Sequence, residues 1–165
     1  MAKNKEEKTN VMRVLEQKKI AYTAHTYPHE EGMAVDGVTV AKSMGFDPAI
    51  VFKTLVARGA SKQYYVFDVP VAENLDLKKA AKAVGEKSIE MIHQKELLPL
   101  TGYVHGGCSP VGMKKLFPTV FHSSAENLAA MIVSAGKIGY QVELAPHDLA
   151  ALVRAKFADI IVECG

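Results

Sequence analysis

The chain has 165 residues, 48% of them hydrophobic and 23% charged, which suits one domain with its own core. A net charge of +2 excludes a whole-molecule field that would hold nucleic acid strongly, so any such contact must come from a local patch. Two cysteines exclude a disulfide framework, no apolar run reaches the length of a membrane span, and Met1-Ala2-Lys3-Asn4-Lys5 lacks the apolar core of a secretion signal; a cytoplasmic protein is expected.

In chain order, residues 1–8 are read as a flexible N-terminus, followed by one domain over residues 9–165. Thr9 or Asn10 can cap a first helix with Val11, Val14 and Leu15 on one face, ending near Lys18-Lys19. Ile20 to Tyr27 carries strand-forming residues and stops at Pro28. His29 to Gly37 reads as a loop, and Val38 to Met44 as a short helix closed by Gly45. After the turn signal Asp47-Pro48, Ile50 to Ala57 and Tyr64 to Val69 form two strands of a hairpin. Asn74 or Asp76 can cap a helix carrying Leu77, Ala80, Ala81 and Val84, with Gly85 as its stop. A short strand over Ser88 to Ile92 and a short helix from Gln94 to Leu98, ended by Pro99, come next. Thr119 to His122 and Met131 to Ser134 read as strands, and the latter forms a second hairpin with Tyr140 to Leu144. A last helix starts near Pro146, and Ile160-Ile161-Val162 closes the chain. Helices interleaved with hairpins predict an α/β or α+β domain with a mixed sheet.

Two features invite chemistry. The run from Thr101 to Gly112 holds four glycines and Pro110, directly before Lys114-Lys115. Such a loop is either a tight structural turn or a cradle whose amides face an anion or an ester oxygen. Lys53 lies inside an apolar strand. Either alternation turns it to solvent, or it faces a pocket and anchors a phosphate, carboxylate or ester oxygen. Cys108 has His105 three residues away and could be a nucleophile, but a single loop cysteine is usually a small packing residue. Ser109 precedes a proline and lacks a nucleophile-elbow pattern. His25 and His29 have a metal-ligand interval, but Pro28 breaks the helix it would need, so no metal and no cofactor are expected.

Taken together, Phe52-Lys53-Thr54-Leu55, Leu75-Asp76-Leu77-Lys78-Lys79, the glycine run through Lys115, and Lys156-Phe157-Ala158-Asp159-Ile160 resemble the YbaK family. Its members are free-standing relatives of the editing insertion of bacterial prolyl-tRNA synthetase. The resemblance runs from about Val11 onward and implies a single domain with a mixed, mostly antiparallel sheet curled toward a barrel and flanked by helices. It implies an aminoacyl-tRNA deacylase that releases cysteine from Cys-tRNA(Pro) and Cys-tRNA(Cys). Deacylation of another small amino acid, such as Ala-tRNA(Pro), and a non-catalytic nucleotide- or anion-binding module stand as alternatives. The implied partners are the acceptor end of aminoacyl-tRNA and prolyl-tRNA synthetase, with no membrane.

Carried over by position, Lys53 matches the family's pocket lysine and Gly106 to Pro110 its GxxxP loop, while Ser134 and Tyr27 match pocket residues. Gln141 stands where the most similar branch has an aspartate, which removes a charge from the expected amino-group contact. The resemblance therefore implies catalysis by Lys53 and by the amides of Gly106 and Gly107. It implies substrate contacts from Tyr27, Ser109, Pro110, Ser134 and Gln141, and RNA backbone contacts from Lys78, Lys79, Lys114 and Lys115. It also implies that Cys108 is a bystander, because the substrate's own thiol attacks the ester. All of this requires Lys53 and the Gly106–Pro110 backbone to converge on one cavity.

Overall fold

The computed structural model describes residues 8–163. Residues 1–7, most of the expected flexible N-terminus, and the last residues Cys164 and Gly165 lie outside that range.

The molecule is organised around one long hairpin. Strands β2 (Phe52–Gly59) and β3 (Tyr64–Pro70) pair antiparallel from Phe52↔Pro70 to Arg58↔Tyr64. Alternation gives this hairpin two working faces. Leu55, Ala57, Tyr65, Phe67 and Val69 pack into one core with helix α3 (Leu77–Val84). Phe52, Val56 and Val66 pack into a second, larger core with helix α1 (Asn10–Gln17) and the glycine run. Short strand β4 (Ile89–Met91) extends the hairpin on one side. On the other side β5 (Thr119–His122) and β8 (Ala155–Ala158) join in parallel, giving the order β4-β2-β3-β5-β8.

A second sheet of three antiparallel strands runs β1-β7-β6, from β1 (Thr23–Thr26), β7 (Tyr140–Leu144) and β6 (Met131–Ser134). An isolated parallel bridge, Val51↔Ile132, links the two sheets where β2 begins. They do not close into a barrel, which corrects the expected curled single sheet.

Local signals set the helix ends. Thr9 accepts from the Met12 amide, and Asp76 accepts from the Lys78 and Lys79 amides. Helix α2 (Gly37–Ser43) is capped by Asp36, and Asp47 caps the one-turn helix Pro48–Ile50. Helix α4 (Gln94–Thr101) runs past Pro99 instead of stopping before it. The ring costs one amide donor, and the turn is still completed by the Gly102 amide on Leu98 and the Thr101 hydroxyl on Leu97. Helix α5 (Pro146–Val153) leads into β8. The last strand is Ala155–Ala158, and beyond it Ile161 makes one bridge to Leu75 while Ile160 is fully buried. Among the described residues no helix is long and apolar enough to cross a membrane.

Candidate functional site

A cavity of about 130 Å³ opens where β2 begins, between the two sheets. That is small beside the roughly 300–1,000 Å³ of a typical ligand pocket, and it suits a compact group better than a bulky side chain. Tyr27, Lys53, Gly106, Ser134 and Gln141 all line it, together with Thr54 and Cys108. The cavity therefore brings together residues from five separate stretches of chain.

The small sheet positions three of them. Register places Gln141 opposite His25 on one side and Ser134 on the other. Tyr27 follows β1 directly, held by its amide on the Gly139 carbonyl at 3.0 Å. Ser134 and Gln141 are buried. The Ser134 hydroxyl accepts from the Gly136 amide at 3.0 Å, which leaves its own proton for the cavity. The Gln141 side-chain oxygen Oε1 is buried and has no partner.

The large sheet supplies Lys53 and Thr54. Three consecutive residues, Phe52, Lys53 and Thr54, line the cavity, so it wraps around the start of β2 and reaches both faces of the strand. Lys53 is half-buried, and burial presses its ammonium below the ordinary lysine value against the opposing pull of the Asp36 and Glu73 carboxylates. Thr54 donates its hydroxyl to Asp68 Oδ1 at 2.5 Å, straight across the hairpin. Asp68 is fully buried, and desolvation lifts its carboxyl to about 7, opposed by that one hydrogen bond.

The glycine run forms the third wall. Gly106 holds φ +92, and a Cβ there would lie 2.8 Å from the Ala34 Cβ, so the backbone reaches the 29–36 loop only because a side chain is absent. The Gly107 amide donates to the Val104 carbonyl at 2.9 Å and so is committed within the loop. The expected pair of Gly106 and Gly107 amides is thus reduced to Gly106, with Cys108 as the next cavity-lining residue of the run. Ser109 and Pro110 are buried outside the lining, and Ser109 accepts from the Val111 amide at 3.2 Å. Tyr103 buttresses the same loop by donating to the Val111 carbonyl.

Burial pushes the Cys108 thiol up to about 12, with the Asp68 charge adding to the effect. At neutral pH it is a protonated thiol, and His105 is exposed with no hydrogen bond to it among the described residues. This is the opposite of an activated nucleophile.

None of the four lysines expected at RNA lines the cavity. Lys79 is tethered, donating to Asp159 at 3.0 Å and to the Ile161 carbonyl at 2.9 Å. Lys114 reaches the Pro99 carbonyl at 3.3 Å, and Lys115 lies 5.9 Å from the Phe117 ring centre. Lys78 is exposed in the first turn of α3. Among the described residues no group of three or more His, Cys, Asp or Glu side chains could hold a metal ion. Thr54 and Asp68 were not singled out by sequence; the available signal was a threonine beside Lys53 in one apolar strand and a lone aspartate in the next, at positions the hairpin brings face to face.

A family described as the aminoacyl-tRNA editing domain matches residues 29–152. A relative from Enterococcus faecalis, described as a candidate Cys-tRNA(Pro)/Cys-tRNA(Cys) deacylase and named EbsC, is 46% identical over 161 residues, covering 97% of this chain and 98% of its own. Among solved structures, a candidate trans-editing enzyme for prolyl tRNA synthetase superposes with a TM-score of 0.79 at 24% identity, over 96% of this chain and 100% of that one. The hypothetical protein APE2540 gives 0.82 at 18% identity, over 93% and 100%. Both structures share the fold. With three quarters of its length inside the family match and a close full-length relative, this chain is a member of the aminoacyl-tRNA editing domain family.

Proposed function

We propose that the protein is a trans-editing aminoacyl-tRNA deacylase that acts in the cytoplasm and releases cysteine from Cys-tRNA(Pro) and Cys-tRNA(Cys). The observation that carries this reading is the convergence of Lys53, the Gly106 loop, Ser134 and Gln141 on one small cavity. The 46%-identical relative supports the substrate class. The task has a physical basis. Cysteine and proline are similar in size, and a synthetase pocket separates small apolar differences by only about 1–3 kcal/mol, so errors are removed afterwards.

The reaction needs no protein nucleophile, which fits the protonated Cys108 thiol. The cysteinyl thiol attacks its own ester carbonyl. A C–S bond forms, the C–O bond to the tRNA ribose breaks, and the thiol proton passes to the departing oxygen. The resulting thiolactone hydrolyses in water. The protein contributes position and charge. Lys53 binds the terminal phosphate or ribose at the mouth of the cavity. The Gly106 amide, with that of Cys108, donates to the ester carbonyl oxygen as it gains charge. Ser134 and Tyr27 hold the aminoacyl group.

RNA contact is confined to the single-stranded acceptor end. Lys78, Lys114 and Lys115 are the phosphate contacts in this reading, and the Lys79 tether removes it from that set. Such contacts ignore sequence, so selection of tRNA(Pro) comes from association with prolyl-tRNA synthetase. Deacylation of Cys-, Ala- and Pro-charged tRNA(Pro) by the purified protein tests the proposal. Rapid release of cysteine with prolyl-tRNA spared is expected. Preference for alanine would change the substrate, and no release from any of the three would reduce the cavity to a binding module.

A further inference from the structure

Among the described residues, two buried side-chain oxygens lack a hydrogen-bond partner: Asp68 Oδ2 and Gln141 Oε1. Buried acceptors are nearly always satisfied, so an unpaired one calls for a reason. Here both belong to the same place. Gln141 lines the cavity, and Asp68 stands behind cavity-lining Thr54 and within electrostatic reach of cavity-lining Cys108.

The groups facing Asp68 carry no positive charge. From β2 it receives the Thr54 hydroxyl, and from the glycine run it faces the neutral Cys108 thiol. Across the parallel ladder its register neighbour is Phe121. Lys53 is on the other face of β2, where its charged neighbours are Asp36 and Glu73. When Asp68 is ionised, the Thr54 proton is fixed toward it, and Thr54 can show the cavity only lone pairs. The wall then offers two acceptors, Thr54 Oγ1 and Gln141 Oε1, with a buried negative charge behind them. That combination complements a primary ammonium, which brings three donors and the missing charge.

We propose that Thr54, Asp68 and Gln141 form an amine subsite that binds the α-ammonium group of the aminoacyl ester, with Asp68 acting as a positioning residue through Thr54. This rests on the editing function proposed above and assigns the part of the substrate that its amine contact left open. In this chain the carboxylate that would accompany the amine stands at residue 68, on the hairpin, while residue 141 is a neutral glutamine. Because burial lifts the Asp68 carboxyl to about 7, protonation also turns Thr54 around. A neutral Asp68 can donate to Thr54 and release the Thr54 proton toward the cavity, which repels an ammonium.

The probe is an amide-linked cysteinyl adenosine, which cannot be deacylated, compared with its desamino analogue. The wild-type protein is expected to bind the free-amine form about tenfold tighter or more, as suits a charge-assisted contact. Asp68→Asn brings that ratio to within about threefold while affinity for the desamino form is unchanged, and Thr54→Ser keeps the wild-type ratio. In the wild type the ratio falls between about pH 7 and about pH 5, where the probe's amine stays protonated and Asp68 loses its charge, whereas Asp68→Asn shows no such fall. An Asp68→Asn protein that discriminates as well as the wild type overturns the subsite. Should Asp68→Asn fail to fold by circular dichroism, Thr54→Val against Thr54→Ser decides the same point. Equal binding of both analogues to the wild type overturns the subsite alone, and binding of neither overturns the editing function with it.

Discussion

The two faces of the β2–β3 hairpin differ in a way that separates stability from function. On one face Leu55, Ala57, Phe67 and Val69 meet α3 in an apolar core. On the other face the same two strands place Thr54 and Asp68 opposite each other, with a fully buried carboxyl oxygen left unpartnered. Both faces obey the same strand geometry and both reach the cavity at the start of β2, the first through Lys53 and the second through Thr54. The first face is built for burial. The second accepts an electrostatic cost behind the wall of the proposed substrate cavity.

The comparison breaks most visibly on the apolar side. Phe67→Ala, at a fully buried ring, should cost about 3–5 kcal/mol in a urea titration while leaving cavity residues in place. The polar side should respond with the reverse sign. The folded-state pKa of Asp68 is raised, from 3.8 to about 7, so its stabilising contribution is complete below about 4 and is lost as pH rises through about 7. Asp68→Asn should therefore be more stable than the wild type by roughly 1–3 kcal/mol at about pH 8, with the gain absent near pH 4. A loss of stability at high pH would show that the carboxylate is paired. Gly106→Ala forces a side chain onto φ +92 and against Ala34, and should lower deacylation by about tenfold or more at a stability cost of about 1 kcal/mol. Smallest of all, Cys108→Ser should keep deacylation within about threefold of wild type, because the thiol is protonated and serves packing.

Features encoded by neighbouring residues were readable from sequence. Thr9, Asp76, Gly85 and Pro146 mark helix ends through contacts within one turn, and each marks an end in the structure. Positions that depend on distant chain were less so. Pro99 is a stop signal that capping by Thr101 and Gly102 overrides. Strand β8 is four residues long and exists because β5 offers it a parallel edge. The convergence of Tyr27, Lys53, Gly106, Ser134 and Gln141 on one cavity was anticipated only through family resemblance, since no local pattern joins them. Lys79 looked like a surface cation, and only the fold brings Asp159 and the Ile161 carbonyl to it. The Thr54–Asp68 pair was hidden for a related reason: each polar residue, taken alone in its strand, looks like a side chain turned to solvent.

Deacylation is assigned here to the cavity beside Lys53. Single-turnover release of cysteine from Cys-tRNA(Pro) by Lys53→Ala, compared with wild type at matched thermal stability, tests it most directly. A loss of about a hundredfold or more is expected if the ammonium anchors the acceptor terminus at the cavity mouth. Release by Lys53→Ala at the wild-type rate would contradict it and place the chemistry elsewhere on the molecule.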